Sequence, residues 1–214
     1  MRNSTIKLTI FNTLIILVFF LNSFIWSILN YQNVIIVLAI LIILFNILFG
    51  FEKDGHRYIP DTIVNIIIFL LSFFLIYYLL GIYTGFVRTT MHWSKNGLIT
   101  LIIPYIIYTI LKEFLRYQVL EKSSKSKKLI AYCCVLFTIM EISINFSIGS
   151  IENKYDIFLL FATKILPAIS TNIASCYIAS KVGYKPNIVW LLILNLYSSL
   201  LPIIPDIGVY LSSI

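Results

Sequence analysis

From Leu8 to Phe51 the chain carries no charged residue, a run of 44 positions. That is roughly twice the ~20 residues that cross a ~30 Å hydrocarbon core at 1.5 Å per residue. The polar cluster Asn30-Tyr31-Gln32-Asn33 divides the run and predicts a hairpin of helices near 8–29 and 34–51. A polar loop follows, from Glu52 to Asp61. Its end carries a helix-start signal: Pro60 discourages helix before it, and Asp61 can cap a helix running from about Thr62 to Ile82. Gly81, Gly85, Arg88, His92, Trp93 and Lys95 then form a loop with interfacial aromatic character. Further apolar runs predict helices near 97–115, 129–150, 157–180 and 187–204, the last stopping at Pro205-Asp206. Pro104 and Pro167 fall inside two of these and are expected to bend them. The fold class is therefore all-α: a polytopic transmembrane bundle of about seven helices, or six if one is re-entrant. No internal repeat is visible, and residues 1–214 read as a single integral membrane domain. Tyr210–Ile214 looks like the start of another apolar run, so the chain reads as the front part of something longer, or as a domain that lost its back part.

Composition agrees. Hydrophobic residues make up 60% and charged ones 12%, against about 45–50% and about 25% in soluble globular domains. The formal net charge of +7 comes without aromatic-basic repeats or a nucleic-acid motif, so it is read as membrane orientation and no nucleic-acid partner is expected. Arg2 and Lys7 mimic the basic end of a signal peptide, but no small-residue cleavage site follows and a second apolar run comes at once, so the first helix is read as retained. Cys133, Cys134 and Cys176 lie inside apolar segments with no metal spacing and no disulfide framework, and read as small packing residues. With the N-terminus inside, the inner loops collect twelve Lys and Arg, six of them between residues 112 and 128, against three outside. That asymmetry predicts a multi-pass cell-membrane protein with a cytoplasmic N-terminus and an extracytoplasmic C-terminus.

Ionisable groups within a bilayer cost several kcal/mol unless paired, which makes them candidates for function. Glu141 and Lys164 stand out: each lies ~10–14 Å from the outer end of its predicted helix at 1.5 Å per residue, so a mutual ion pair is geometrically easy. Asn145 lies one turn beyond Glu141. The candidate intramembrane polar site is Glu141, Asn145, Lys164, Ser170, Thr171 and Asn172. It serves a substrate or proton on one reading and fixes helix packing on the other. Helix 157–180 carries the densest set of hydroxyl and small residues and is expected to be the most buried of the bundle. Glu113 and Arg116, three apart, form a candidate pair at the inner face. Intramembrane proteases use Glu/Arg pairs with additional Glu and His residues, but His56 and His92 fall in loops on opposite sides. His-Glu-x-x-His spacing, paired aspartates and a phosphate-binding glycine loop are absent, so neither a metal nor another cofactor is expected. The lysines up to Lys128 read as a topology signal or as a lipid contact.

Six segments together resemble the multi-spanning N-terminal membrane region of bacterial signal peptidase I-like proteins. They are Phe51-Glu52-Lys53-Asp54-Gly55-His56-Arg57-Tyr58, Gly85-Phe86-Val87-Arg88-Thr89, Leu111-Lys112-Glu113-Phe114-Leu115-Arg116-Tyr117, Leu166-Pro167-Ala168-Ile169-Ser170-Thr171-Asn172, Gly183-Tyr184-Lys185-Pro186-Asn187 and Leu201-Pro202-Ile203-Ile204-Pro205. The resemblance implies a domain that anchors an extracytoplasmic serine protease module, or presents a signal peptide to it, without being catalytic itself. The family's Ser-x-Ser-Met nucleophile motif has no counterpart: Met91 and Met140 follow Thr90 and Ile139. The alternative is a small-solute binding or transport protein of the substrate-specificity-subunit type. Expected partners are the lipid bilayer and, on the first reading, a signal peptide or a peptidase module.

Overall fold

The computed structural model describes residues 2–21, 31–56, 58–89, 98–123, 126–145 and 154–206. Among them the chain forms an all-α bundle of seven helices. These are α1 (Arg2–Leu21), α2 (Tyr31–Phe49), α3 (Ile59–Thr84), α4 (Ile103–Lys122), α5 (Lys127–Asn145), α6 (154–182) and α7 (Tyr184–Leu200). Two short strands, β1 (Phe86–Arg88) and β2 (Ile203–Pro205), pair antiparallel with Val87 opposite Ile204. The expected loop residues His92, Trp93 and Lys95, the helix end at 146–150 and the run Tyr210–Ile214 lie outside the described residues.

Among the described residues, three stretches are long and apolar enough to cross a membrane: Gln32–Phe49, Ile59–Thr84 and Ile157–Val182. Their outward faces are rich in exposed Leu, Ile and Phe, the surface expected where lipid rather than water is the neighbour. These are the features of a membrane protein.

Helix α4 is central. It packs against α2, α5, α6 and α7, while α1 lies on α5 and α3 lies on α7. The apolar core joins α1, α2, α4 and α5 through Phe11, Phe19, Leu38, Phe45, Leu115 and Phe137. Phe11 meets Phe45 edge-on at 5.4 Å between ring centroids, a preferred aromatic geometry.

Several helix boundaries differ from the sequence expectation. Tyr31, Gln32 and Asn33 begin α2 instead of separating two helices. Asp61 is not the cap of α3; the helix starts at Ile59 with Pro60 in its first turn, where the missing N–H costs nothing. Asp61 in that first turn complements the helix dipole instead. Helix α4 continues to Lys122, so the segment from Lys112 to Lys122 is helix and not inner loop. Both intrahelical prolines are preceded by a π-helical turn, Leu98–Ile102 before Pro104 and Phe161–Ile165 before Pro167. Proline lacks an N–H and its ring crowds the carbonyl one turn back, and widening that turn is one way to absorb the conflict.

At one end of the bundle the loop after α2 is clamped onto α4. Gln118 accepts from the Glu52 amide (3.1 Å) and donates to its carbonyl (2.8 Å), and Tyr117 donates to the Lys53 carbonyl (3.3 Å). Lys122 pairs with Glu52. The Asp54 carboxylate, 3% exposed and 2.9 Å from His56 Nδ1, lies against Gly183 between α6 and α7. A Cβ at Gly183 would meet that carboxylate at 2.5 Å, and its φ of +100° is one that other residues rarely adopt. At the far end of α3, β1 and β2 fold over Gly81, where a Cβ would meet Phe86 at 2.6 Å. Tyr78 Oη donates to the Ile203 carbonyl at 2.7 Å.

Candidate functional site

The helical repeat places Lys112, Glu113 and Arg116 on the inward part of α4, with Arg116 three and four residues beyond the other two. All three are buried. Arg116 is the hub. Its Nη2 lies 3.2 Å from Glu113 Oε1 and donates to Asn172 Oδ1 at 2.5 Å, while its Nη1 donates to the Asn172 carbonyl at 3.4 Å. The guanidinium lies 4.6 Å from the centre of the Phe137 ring on α5, a favourable cation–π placement. Asn187 of α7 donates to Glu113 and to the Ser175 carbonyl.

The second acid is Glu141 of α5. Lys112 Nζ approaches Glu141 Oε2 to 3.2 Å and Asn172 Nδ2 donates to the same oxygen at 3.0 Å. Lys112 also lies 3.9 Å from Glu113. Two cations and two carboxylates thus form one alternating network that ties α4, α5, α6 and α7 together through two asparagines. Charge alternation makes this tolerable: each desolvated ion faces an opposite one, without which it would be prohibitively costly in a low-dielectric interior.

The site residues expected from sequence divide between this network and its surroundings. Glu113 and Arg116 do pair, and the pair is buried within the bundle. Glu141 and Asn172 belong to the same network. Lys164 does not join them: it lies exposed in the π turn of α6, and Glu141 takes its cation from Lys112. Ser170 is exposed and donates to the Leu166 carbonyl, and Thr171 donates to the Pro167 carbonyl, so both hydroxyls serve their own helix. The side chain of Asn145 lies outside the described residues. The most buried helix is α4 and not α6, because the ionic contacts draw α4 to the centre.

Two members went unrecognised in the sequence. By sequence Lys112 reads as a loop cation although it directly precedes Glu113, and Asn187 closes the Gly183–Asn187 segment, whose local pattern carries no sign of this role. Among the described residues, the hydroxyls of Ser143 and Ser180 also donate to backbone carbonyls, and no group of His, Cys, Asp and Glu is arranged to hold a metal. Cys133 and Cys176 are free and buried, and Cys134 is free and half-buried.

No family model, curated protein or solved structure matches this chain. The reading of its function therefore rests on the network itself and on the sequence resemblance described above.

Proposed function

We propose that this chain is a multi-pass membrane domain with a cytoplasmic N-terminus and an extracytoplasmic C-terminus. Its role is to anchor a signal peptidase-type serine protease module, or to present a membrane-inserted signal peptide to it, and it is not catalytic by itself. The observation that carries the scaffold role is the alternating ionic network. Lys112, Glu113 and Arg116 of α4 and Glu141 of α5 neutralise one another, and Asn172 and Asn187 tie α6 and α7 to them, which favours a rigid frame over an acid–base pair poised on a substrate. The protease partner comes from the resemblance alone. Orientation is supported by the charge distribution: with Lys112 and Arg116 assigned to the interior, ten inner cations still face three outer ones.

Photo-cross-linking in proteoliposomes tests this reading. The chain is expected to cross-link to a signal-peptide precursor, to leave it uncut alone, and to raise the rate at which a co-reconstituted peptidase module cuts it. Cleavage by the chain alone, or an unchanged rate with the module, would end the reading.

One observation favours small-solute binding as a second reading. The Glu141 side chain is 27% exposed, whereas the other charged members of the network are almost fully enclosed, so one carboxylate opens outward. Solute uptake that is lost in Glu141→Gln, with insertion intact, would favour it over the scaffold.

A further inference from the structure

The fold gathers at one corner two segments that lie about 130 residues apart in the chain, and together they carry two chemistries. One is an aromatic ledge. Phe51, 56% exposed, lies 6.0 Å from half-buried Phe114, which meets half-buried Tyr184 edge-on at 5.5 Å, and Tyr184 is backed at 5.6 Å by Tyr117, which is buried. The other is a set of cations. Lys53 precedes Asp54, whose carboxylate touches Gly183, and Lys181 and Lys185 flank that glycine by two residues on either side. All three lysines are exposed, and none has an acidic partner among the described residues. The acids nearby do not cancel them. Glu52, exposed, is paired with Lys122, Asp54 is enclosed beside His56, and Glu121 is a second exposed carboxylate close to Tyr117.

We propose that this corner binds the headgroup of an anionic phospholipid. The lysines face the phosphate, and the ledge from Phe51 to Tyr184 lies along the glycerol and upper acyl region. Aromatic rings settle at the boundary between headgroups and hydrocarbon, and basic side chains there attract anionic lipid. The site rests on the membrane placement proposed above and not on any protease partner. It also differs from a diffuse topology signal: Lys127 and Lys128, equally exposed at the start of α5, are not part of the contacts that build the ledge.

The test uses the full chain in detergent, titrated with short-chain phosphatidylglycerol or phosphatidylcholine and read by native mass spectrometry. Phosphatidylglycerol is expected to be retained in preference. The triple variant Lys53→Gln, Lys181→Gln, Lys185→Gln should lose affinity about a hundred-fold, on the order of five-fold per lysine. Lys127→Gln with Lys128→Gln should stay within about two-fold of the wild type. An equal loss per charge in that control would overturn the site in favour of bulk surface charge. Equal retention of phosphatidylcholine, or displacement of the lipid by inorganic phosphate at matched concentration, would also overturn it. Release of the wild-type chain from native membranes by alkaline wash would sink the membrane placement, and the lipid site with it.

Discussion

Helices α3 and α4 are neighbours in the chain and opposites in environment. Of the 26 residues of α3, three are buried, and its one ionisable group apart from tyrosines is Asp61 in the first turn. Of the 20 residues of α4, ten are buried, including Lys112, Glu113, Arg116 and Gln118. The oilier helix is outside and the charged one is inside. In water this arrangement would be inverted. In a bilayer the apolar side chains gain nothing by leaving lipid for the bundle core, whereas charges gain greatly by finding one another. Polar character then marks the centre of the molecule, and hydropathy marks its rim.

The comparison can be broken most forcefully at Arg116. Arg116→Ala leaves Glu113 buried with only Lys112, 3.9 Å away, as counter-charge, and the expected cost is about 3–5 kcal/mol. It should appear as loss of the folded species in a thermal-unfolding series in detergent. A stability within about 1 kcal/mol of the wild type would mean that the centre is not held by its charges. A smaller effect sharpens the apolar side of the contrast. Leu115→Ala in the core should cost about 2–5 kcal/mol, whereas Leu75→Ala, on the exposed face of α3, should fall within about 0.5 kcal/mol of zero. Equal costs at the two leucines would show that α3 is covered by protein. The last effect concerns the joint where the loop after α2 meets the turn between α6 and α7. Gly183→Ala places a Cβ against Asp54 at a φ of +100°, which costs about 1–2 kcal/mol for the backbone alone. The additional steric part should vanish when combined with Asp54→Ala, so the two changes should be non-additive in the same unfolding assay.

How far the sequence could be read follows from the same contrast. The seven helices were legible because long apolar runs admit few alternatives in a bilayer. Their ends were less so: α4 was cut short at Leu115 because Arg116, Gln118 and Lys122 look like solvent-seeking residues. The partners that draw Lys112 and Arg116 inward, Glu141 and Asn172, lie on other helices, and no local pattern records that pairing. The β1–β2 ribbon was invisible for a related reason. Three residues on each side carry too little alternation to signal a strand, and the pairing joins segments more than a hundred positions apart. Glu113 with Arg116 was readable because three-residue spacing on a helix is itself geometry.

Lys164 was matched to Glu141 on depth alone, and the turn in which it lies explains why depth was insufficient. A π turn accommodates one residue more than a regular coil, and an extra residue advances the azimuth by about 100° at 3.6 residues per revolution. Everything on the N-terminal side of Phe161–Ile165 is thereby rotated relative to a wheel drawn from Leu166 onward. Excision of a single position there acts less as a shortening than as a change of phase. It would re-aim a whole flank of the helix while leaving every distance along its axis nearly unchanged.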